Sequence, residues 1–240
     1  MSGHSKWSTI KHKKAVVDAK RGKAFTKLIK EITVAARIGG GDTSGMGNPR
    51  LRTLLEKAKA INMPMENTVR AIKKGTGELP GVNYEQFMYE GYGPDGIAVI
   101  VDVLTDNKNR TVGDLRHAFS SKGGNLAETG AVNWMFEKMG VIEGKANNLK
   151  EDDLLEMLID FDIADISLDE GMFFITCNPK SMDAVKKVLT DKNISVESAE
   201  LEWTPKTTIK LDDAASEKAV EFLSHIEDLD DVQNVYTNLG

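Results

Sequence analysis

Apolar residues recur at helical spacing in three successive segments between residues 24 and 75. The apolar positions are Phe25, Leu28, Ile29, Ile32 and Ala36 in the first segment, Leu51, Leu54, Leu55 and Ala58 in the second, and Met65, Val69 and Ile72 in the third. Spacings of three and four residues place each set on one face of an amphipathic helix. The glycines at 39–41 end the first predicted helix, Pro49 suits the first turn of the second, and Gly75 ends the third. Residues 24–75 are therefore predicted to form a small helical bundle.

After residue 81 the pattern changes to short β-prone runs that alternate with helical segments. The run at 97–104 predicts a strand, and the next segment predicts a helix that starts at Thr111 in a capping box with Asp114. From 131 to 203 the predicted strands are 131–143, 163–168, 172–177 and 195–203, and the predicted helices are 152–161 and 181–192. The resulting β-α-β-β-α-β order is that of a ferredoxin-like antiparallel sheet covered on one face by two helices.

The segment after Pro205 predicts a strand at 207–211, a helix around 219–226 and a strand at 231–238, which have no sheet of their own. With the strand at 97–104, the helix from 111 and a short strand near 125, they complete a second β-α-β-β-α-β set. We therefore predict an α+β fold: an N-terminal helical bundle followed by two ferredoxin-like α+β domains, one inserted into the other. The predicted domains are residues 1–80, residues 81–129 together with 205–240, and the inserted residues 130–204. The alternative is one larger continuous α+β domain after the bundle.

Charge divides the chain near the first predicted domain boundary. The 240 residues carry a net charge of −6. Residues 1–80 contain 17 Lys and Arg against 6 Asp and Glu, a net charge of +11, whereas residues 81–240 carry −17. A basic segment joined to an acidic remainder is typical of a protein that binds a polyanion with one of its parts. Nucleic acid is the polyanion that this pattern favours.

Basic residues are densest in the first 24 positions, where Asp18 is the only acid. Lysine and arginine neutralise phosphates and release counterions, and the ring of Trp7 could stack on a base. The predicted nucleic-acid-binding residues are His4, Lys6, Trp7, Lys11, His12, Lys13, Lys14, Lys20, Arg21, Lys23, Lys27, Lys30, Arg50 and Arg52. The alternatives are a solvated tail, solvent-facing arginines at positions 50 and 52, and a mitochondrial transit peptide. Transit peptides are rich in arginine, which the first 20 residues lack.

The sequence contains no convincing motif for an enzyme, a cofactor or a metal. GKAFTK at 22–27 departs from the phosphate-binding Walker loop, and the four histidines have no metal-binding spacing. Asp228, Asp230 and Asp231 could hold Mg²⁺, but we favour a solvated turn. The single cysteine, Cys177, is expected to be a small buried hydrophobe. We predict a non-enzymatic protein with no cofactor and no metal; a metal-dependent hydrolase that uses the three aspartates is the remote alternative.

Composition also bears on location and partners. No segment approaches the roughly 18 uncharged apolar residues of a membrane span, and the N-terminus lacks the apolar region of a secretory signal. We expect a cytoplasmic monomer that does not contact membranes. Its expected partner is nucleic acid, either DNA or rRNA in the ribosome, and a protein partner for the acidic domains is a further hypothesis.

Two loop-like segments flank the strand predicted at 97–104. YEGYGPDG at 89–96 is interpreted either as a β-turn packed by its tyrosines or as an exposed aromatic contact surface. DNKNRT at 106–111 lies just before a helix N-terminus, where anions bind readily, although turn geometry selects the same residue types.

Several motifs in one order make the chain similar to a known family. They are GHSKW at 3–7, IKHKKAVVDAKRGK at 10–23, NPRLR at 48–52, AIKKG at 71–75, YEGYGP at 89–94, DNKNRT at 106–111, RHAF at 116–119 and GGNL at 123–126. Together they resemble the YebC/PmpR family over essentially the whole chain. The resemblance implies a three-domain architecture, with a helical domain and two α+β domains, and a non-enzymatic regulator of gene expression. It also marks the basic arm, from His4 to Lys23, as the nucleic-acid contact; the irregular glycine-rich loop before Asn48 departs from the family pattern.

The family resemblance favours a DNA-binding transcriptional regulator. A translation factor that binds ribosomal RNA is the alternative, because a similar mitochondrial protein is a translational activator of cytochrome c oxidase subunit I. A lysine-rich arm binds any phosphate backbone, so the sequence leaves the choice between DNA and RNA open.

Overall fold

A computed structural model describes Trp7, residues 21–169 and residues 171–240, with only the backbone given for Arg21. The helices of these residues are α1 (Arg21–Gly39), α2 (Pro49–Ala60), α3 (Met65–Thr76), α4 (Lys108–Ser121), α5 (Glu151–Leu158), α6 (Met182–Asp191) and α7 (Asp213–Glu227). The strands are β1 (Glu85–Tyr92), β2 (Ala98–Thr105), β3 (Asn125–Leu126), β4 (Phe136–Lys145), β5 (Ile163–Asp169), β6 (Met172–Cys177), β7 (Val196–Pro205) and β8 (Val232–Thr237). The α+β class predicted from the sequence is confirmed.

Helices α1, α2 and α3 form the predicted bundle around Ile32, Leu51 and Ile72. Asn48 closes the loop between α1 and α2: its side-chain oxygen accepts from the Leu51 amide at 3.0 Å, and its amide nitrogen donates to the carbonyl of Ala35 at 2.9 Å. One side chain therefore satisfies the N-terminus of α2 and fixes it against α1.

The first sheet has the strand order β3-β1-β2-β8, and all its pairs are antiparallel. Strand β8 near the C-terminus pairs with β2, so the chain returns to this sheet after building another one. Helices α4 and α7 cover one face, where Phe119 and Phe222 meet edge to face with ring centroids 5.2 Å apart.

The second sheet, of order β5-β6-β4-β7, is formed by residues 136–205 alone. Its strands follow the chain order β-α-β-β-α-β, and each strand pairs antiparallel with its neighbour. This is the predicted ferredoxin-like arrangement, in which Leu154 of α5 and Val185 of α6 share a core with Phe173 and Ile175 of β6. Residues 1–80, 81–129 with 205–240, and 130–204 remain our proposed domain division.

The two sheets contact each other through the back of β2. Val99, Val101 and Val103 face α4 and α7, whereas Ala98 and Ile100 face the second sheet. Successive side chains of a strand point to opposite faces, so a strand that is buried on both faces becomes apolar at nearly every position.

Three predictions about the first sheet were wrong. Residues 85–92 form β1 rather than only a loop at 89–96, whereas 207–211 contributes one isolated bridge, between Ile209 and Leu239. Helix α4 begins at Lys108, because Asn107 is its N-cap and accepts from the Arg110 amide at 3.1 Å. The predicted capping box from Thr111 to Asp114 therefore lies inside the helix.

Candidate nucleic-acid interface

Most of the predicted basic arm lies outside the described residues. This applies to His4, Lys6, Lys11, His12, Lys13, Lys14 and Lys20, and to the side chain of Arg21. The structure places the other predicted residues, namely Trp7, Lys23, Lys27, Lys30, Arg50 and Arg52.

Trp7 is a core residue of the first sheet. Its side chain is 2% exposed and packs in the cluster that contains Val99 and Leu115. The indole nitrogen donates to the carbonyl oxygen of Val235 at 3.2 Å. The expectation that its ring is free to stack on a base is therefore wrong, because the ring already fills a site against β8.

The lysines of α1 contact the C-terminal end of α7. Lys23, Lys27 and Lys30 are spaced by four and three residues, so they lie along one stripe of the helix. Their ammonium groups donate to the carbonyl oxygens of Asp228 at 2.9 Å, Glu227 at 2.9 Å and Asp230 at 3.0 Å, respectively. The last carbonyls of a helix lack intrahelical partners and carry partial negative charge. These lysines were predicted to contact nucleic acid. In the structure their ammonium groups instead bind the carbonyls at the end of α7 and attach the bundle to that helix.

A buried carboxylate, that of Asp231, fixes this junction. It accepts from the ammonium of Lys30 at 2.7 Å, the guanidinium of Arg110 at 2.9 Å, and the hydroxyls of Thr111 at 2.7 Å and Thr105 at 3.0 Å. Burial acts to raise the pKa of Asp231, but the hydrogen bonds from Lys30, Arg110 and Thr111 outweigh it and hold the pKa well below its ordinary value. The carboxylate therefore stays ionised and joins α1, α4 and β2 to the turn before β8.

An open cleft of about 930 Å³ runs beside this junction, lined by α1, Tyr84, the N-terminus of α4 and the turn at 228–231. Four aspartates besides Asp231 line it, namely Asp106, Asp114, Asp228 and Asp230. In DNKNRT, the guanidinium of Arg110 is already bound to Asp106 at 2.8 Å and to Asp231. The mixed charge gives the cleft no excess of cations with which to hold a polyanion.

Among the described predicted residues, Arg50 and Arg52 are the exposed cations available to a ligand. Both lie in the first turn of α2, and neither makes an ion pair within the described part of the chain. Lys59, Lys73 and Lys74 are further exposed cations of the bundle. Other basic side chains of the bundle are engaged: Lys57 with Glu200, and Arg70 with Glu66 at 2.8 Å. The free positive charge of the bundle is thus carried by α2 and α3.

The junction at Asp231 was missed at the sequence level. The sequence suggested only a metal site or a solvated turn for the three aspartates at 228, 230 and 231. In the structure the side chain of Asp231 is 7% exposed and forms an ion pair with Lys30. The spacing of Lys23, Lys27 and Lys30 was the available signal, because it puts three cations on one stripe of an amphipathic helix. Its partner could not be found, since the turn lies about 200 residues further along the chain.

The YEGYGPDG segment has a structural role that was also missed. The carboxylate of Glu90 is 2% exposed and accepts from the amides of Gly130 at 2.7 Å, Val132 at 2.7 Å and Asn133 at 2.8 Å. Glu90 thereby fixes the segment that leads from the first sheet to the second. Tyr92 remains partly exposed at the end of β1 and donates to the carbonyl of Ala131 at 3.1 Å.

No group of three or more His, Cys, Asp or Glu within residues 21–169 and 171–240 is arranged to hold a metal ion. None of the described helices is long and apolar enough to cross a membrane. Cys177 is buried, as expected of a small hydrophobe, and burial raises the pKa of its thiol to about 11.

Comparison with known proteins covers nearly the whole chain. Residues 5–78 match the TACO1/YebC protein N-terminal domain, and residues 84–239 match the TACO1/YebC second and third domain. The chain belongs to the TACO1/YebC family. This confirms the resemblance inferred from its motifs.

Relatives from several bacteria are named probable transcriptional regulatory proteins. One from Desulfosudis oleivorans is 52% identical over 99% of this chain and 96% of its own length. Another, from Chlorobaculum tepidum, is 49% identical over 100% of this chain and 95% of its own length. A crystal structure of a conserved hypothetical protein from Aquifex aeolicus is 45% identical, with a TM-score of 0.83 over 93% of this chain and 92% of that one.

Proposed function

We propose that this TACO1/YebC protein is a non-enzymatic regulator of gene expression that binds nucleic acid through residues 1–80 and acts on transcription by binding DNA. The observation that carries the proposal is the segregation of charge, +11 in residues 1–80 against −17 in the rest. A cationic region attracts the phosphate backbone, whereas an anionic body is repelled by it, so binding is confined to one end of the molecule. The names of the relatives support a role in transcription.

In this proposal the basic residues of the domain have two different tasks. The α1 lysines and Trp7 attach it to the first sheet, so the phosphate contacts are left to the arm and to the exposed cations of α2 and α3. Arg50 and Arg52 lie at a helix N-terminus, where the helix dipole disfavours cations. A phosphate bound there would relieve that cost.

The proposal is tested by reversing three charges of the arm. Lys11→Glu, Lys13→Glu and Lys14→Glu together should weaken binding of fluorescein-labelled duplex DNA by at least tenfold in fluorescence anisotropy at low salt, because each removes a phosphate contact. The matched control reverses the charge of three exposed lysines in the acidic part of the chain, residues 81–240, namely Lys180, Lys187 and Lys192. Unchanged affinity of the arm variant, or an equal loss in the control, would contradict binding through residues 1–80.

The nucleic acid itself is identified by sedimentation. The same cations contact RNA phosphates as readily as DNA phosphates, because phosphate contacts carry no sequence information. If transcription is the target, the protein in a cell extract should leave the fast-sedimenting fraction after DNase treatment. A pool that stays with ribosomes after DNase and leaves them only in high salt would indicate a translation factor that binds rRNA instead.

A further inference from the structure

A groove with an apolar floor lies on the helical bundle, on the side of α2 that carries Arg52. Its volume is about 460 Å³. The lining residues are Thr43, Ser44, Arg52, Leu55, Glu56, Ala58, Lys59, Met63, Met65 and Thr68. A groove of this size with a few polar groups at its edge is typical of a site for a small organic group.

The groove combines two kinds of chemistry. Leu55, Ala58 and Met63 form an apolar floor, and the side chain of Met65 stands at the lip with 74% of its surface exposed. Arg52 and Lys59 lie on the same side of α2, seven residues apart, and no ion pair of either is found among the described residues. The charge at the rim is therefore positive, with Glu56 as its one acid.

This combination suits a nucleobase with its phosphate. Thioether sulfur contacts aromatic rings favourably, and methionine adapts its shape to an irregular occupant. The guanidinium of arginine binds phosphate through two parallel hydrogen bonds, and an ammonium group holds phosphate as a point charge. An acidic peptide would satisfy the two cations, but it would not need the exposed methionine.

We propose that this groove receives a single unpaired base, with Arg52 and Lys59 on the flanking phosphates. The inference rests on the proposed function, and it adds to it a second site, for unpaired nucleotides. Bases inside a duplex are stacked and cannot enter such a groove without being flipped out. Duplex binding through the arm is therefore independent of the groove.

The test compares Met65→Gln with Met46→Gln. Met65 lines the groove, whereas Met46 is 80% exposed in the same bundle but is not part of the lining. Both changes are at exposed positions, so both variants should keep the thermal stability of the parent. We expect Met65→Gln to weaken binding of a short fluorescein-labelled oligouridylate by roughly three- to tenfold, and Met46→Gln to leave it unchanged.

A blunt-ended DNA duplex is the second probe, and neither variant should change its binding. Photocrosslinking of an oligonucleotide that contains 4-thiouridine should label the peptide that spans residues 43–68. If Met65→Gln binds the oligouridylate as well as the parent, or if both probes lose affinity equally, the groove does not receive a base. A parent that binds the DNA duplex but not the oligouridylate would also contradict base binding in the groove, whereas a parent that binds neither probe would count against the proposed function.

Discussion

At the scale of single residues, Asp231 is the group on which the junction depends most. Removing one partner from a buried, hydrogen-bonded charge network leaves the remaining charges without compensation, which costs about 3–5 kcal/mol. Lys30 is 7% exposed and would lose its carboxylate partner inside the protein. The side chain of the neighbouring Asp230 is not part of this network, because Lys30 donates only to the backbone carbonyl of that residue.

We predict that Asp231→Ala lowers the free energy of unfolding by about 3 kcal/mol, whereas Asp230→Ala changes it by less than about 0.5 kcal/mol. Urea denaturation followed by circular dichroism measures both values. Equal effects of the two substitutions would show that the network around Asp231 contributes no more than an exposed turn residue.

The same network makes the free energy of unfolding depend on pH. The pKa of Asp231 is lowered on folding, so its contribution is complete above the ordinary aspartate pKa and is lost as the pH falls through and below it. The stability difference between the parent and Asp231→Ala should therefore be constant near neutral pH and shrink below about pH 4. A difference that grows on acidification would contradict this assignment.

At the scale of elements, replacing glycine by alanine should have opposite effects on stability at one position in β1 and one in α4. A Cβ at Gly91 in β1 would lie against the ring of Phe119 and 2.6 Å from the carbonyl oxygen of Asn125. A Cβ at Gly113 in α4 would meet nothing within 4 Å. We predict that Gly91→Ala destabilises the protein by about 1–3 kcal/mol, because the backbone of β1 or β3 must shift to make room for the added methyl group. Gly113→Ala should stabilise it by about 0.5–1 kcal/mol, because alanine favours a helix more than glycine does.

Thermal unfolding of the two variants beside the parent checks these signs. The pair controls for the loss of backbone freedom that alanine causes in the unfolded chain, since the same substitution is made at both positions. A stabilised Gly91→Ala would mean that β1 and β3 separate more easily than the structure indicates.

The same elements illustrate what periodicity can and cannot predict. The helices of the bundle and most elements of the second sheet were predicted within a few residues, because their apolar faces repeat at regular spacing. The strand predicted from residue 131 begins only at Phe136. Strand β1 was missed because its segment, EQFMYEGY, contains glycine and charged residues that are typical of turns. The backbone of Gly91 packs closely against Asn125, and the carboxylate of Glu90 accepts from the amide of Gly130. Both partners are distant in sequence, so the segment alone does not reveal the strand.

The candidate interface was predicted less well, because a lysine has the same appearance in sequence whether it binds a phosphate or a helix carbonyl. The charge pattern identified the basic domain, yet three of its lysines and Trp7 attach that domain to the first sheet. Arg50 and Arg52 differ from the engaged cations in having no ion pair within the described residues, and which cations find a partner depends on the packing of elements far apart in the chain.

At the scale of the whole molecule, the division between engaged and free cations predicts the salt dependence of binding. On duplex DNA, log K falls with log salt by about 0.9 for each phosphate that is neutralised. Lys11→Gln, Lys13→Gln and Lys14→Gln together should therefore reduce the slope by about 2.7. Lys23→Gln with Lys27→Gln should leave the slope unchanged, because the ammonium groups of both lysines are bound to carbonyls at the end of α7. The measurement is fluorescence anisotropy over a series of salt concentrations. If the second pair also reduces the slope, by about 1.8, then the ammonium groups of Lys23 and Lys27 must leave the carbonyls at the end of α7 when DNA binds, and these contacts would not be permanent.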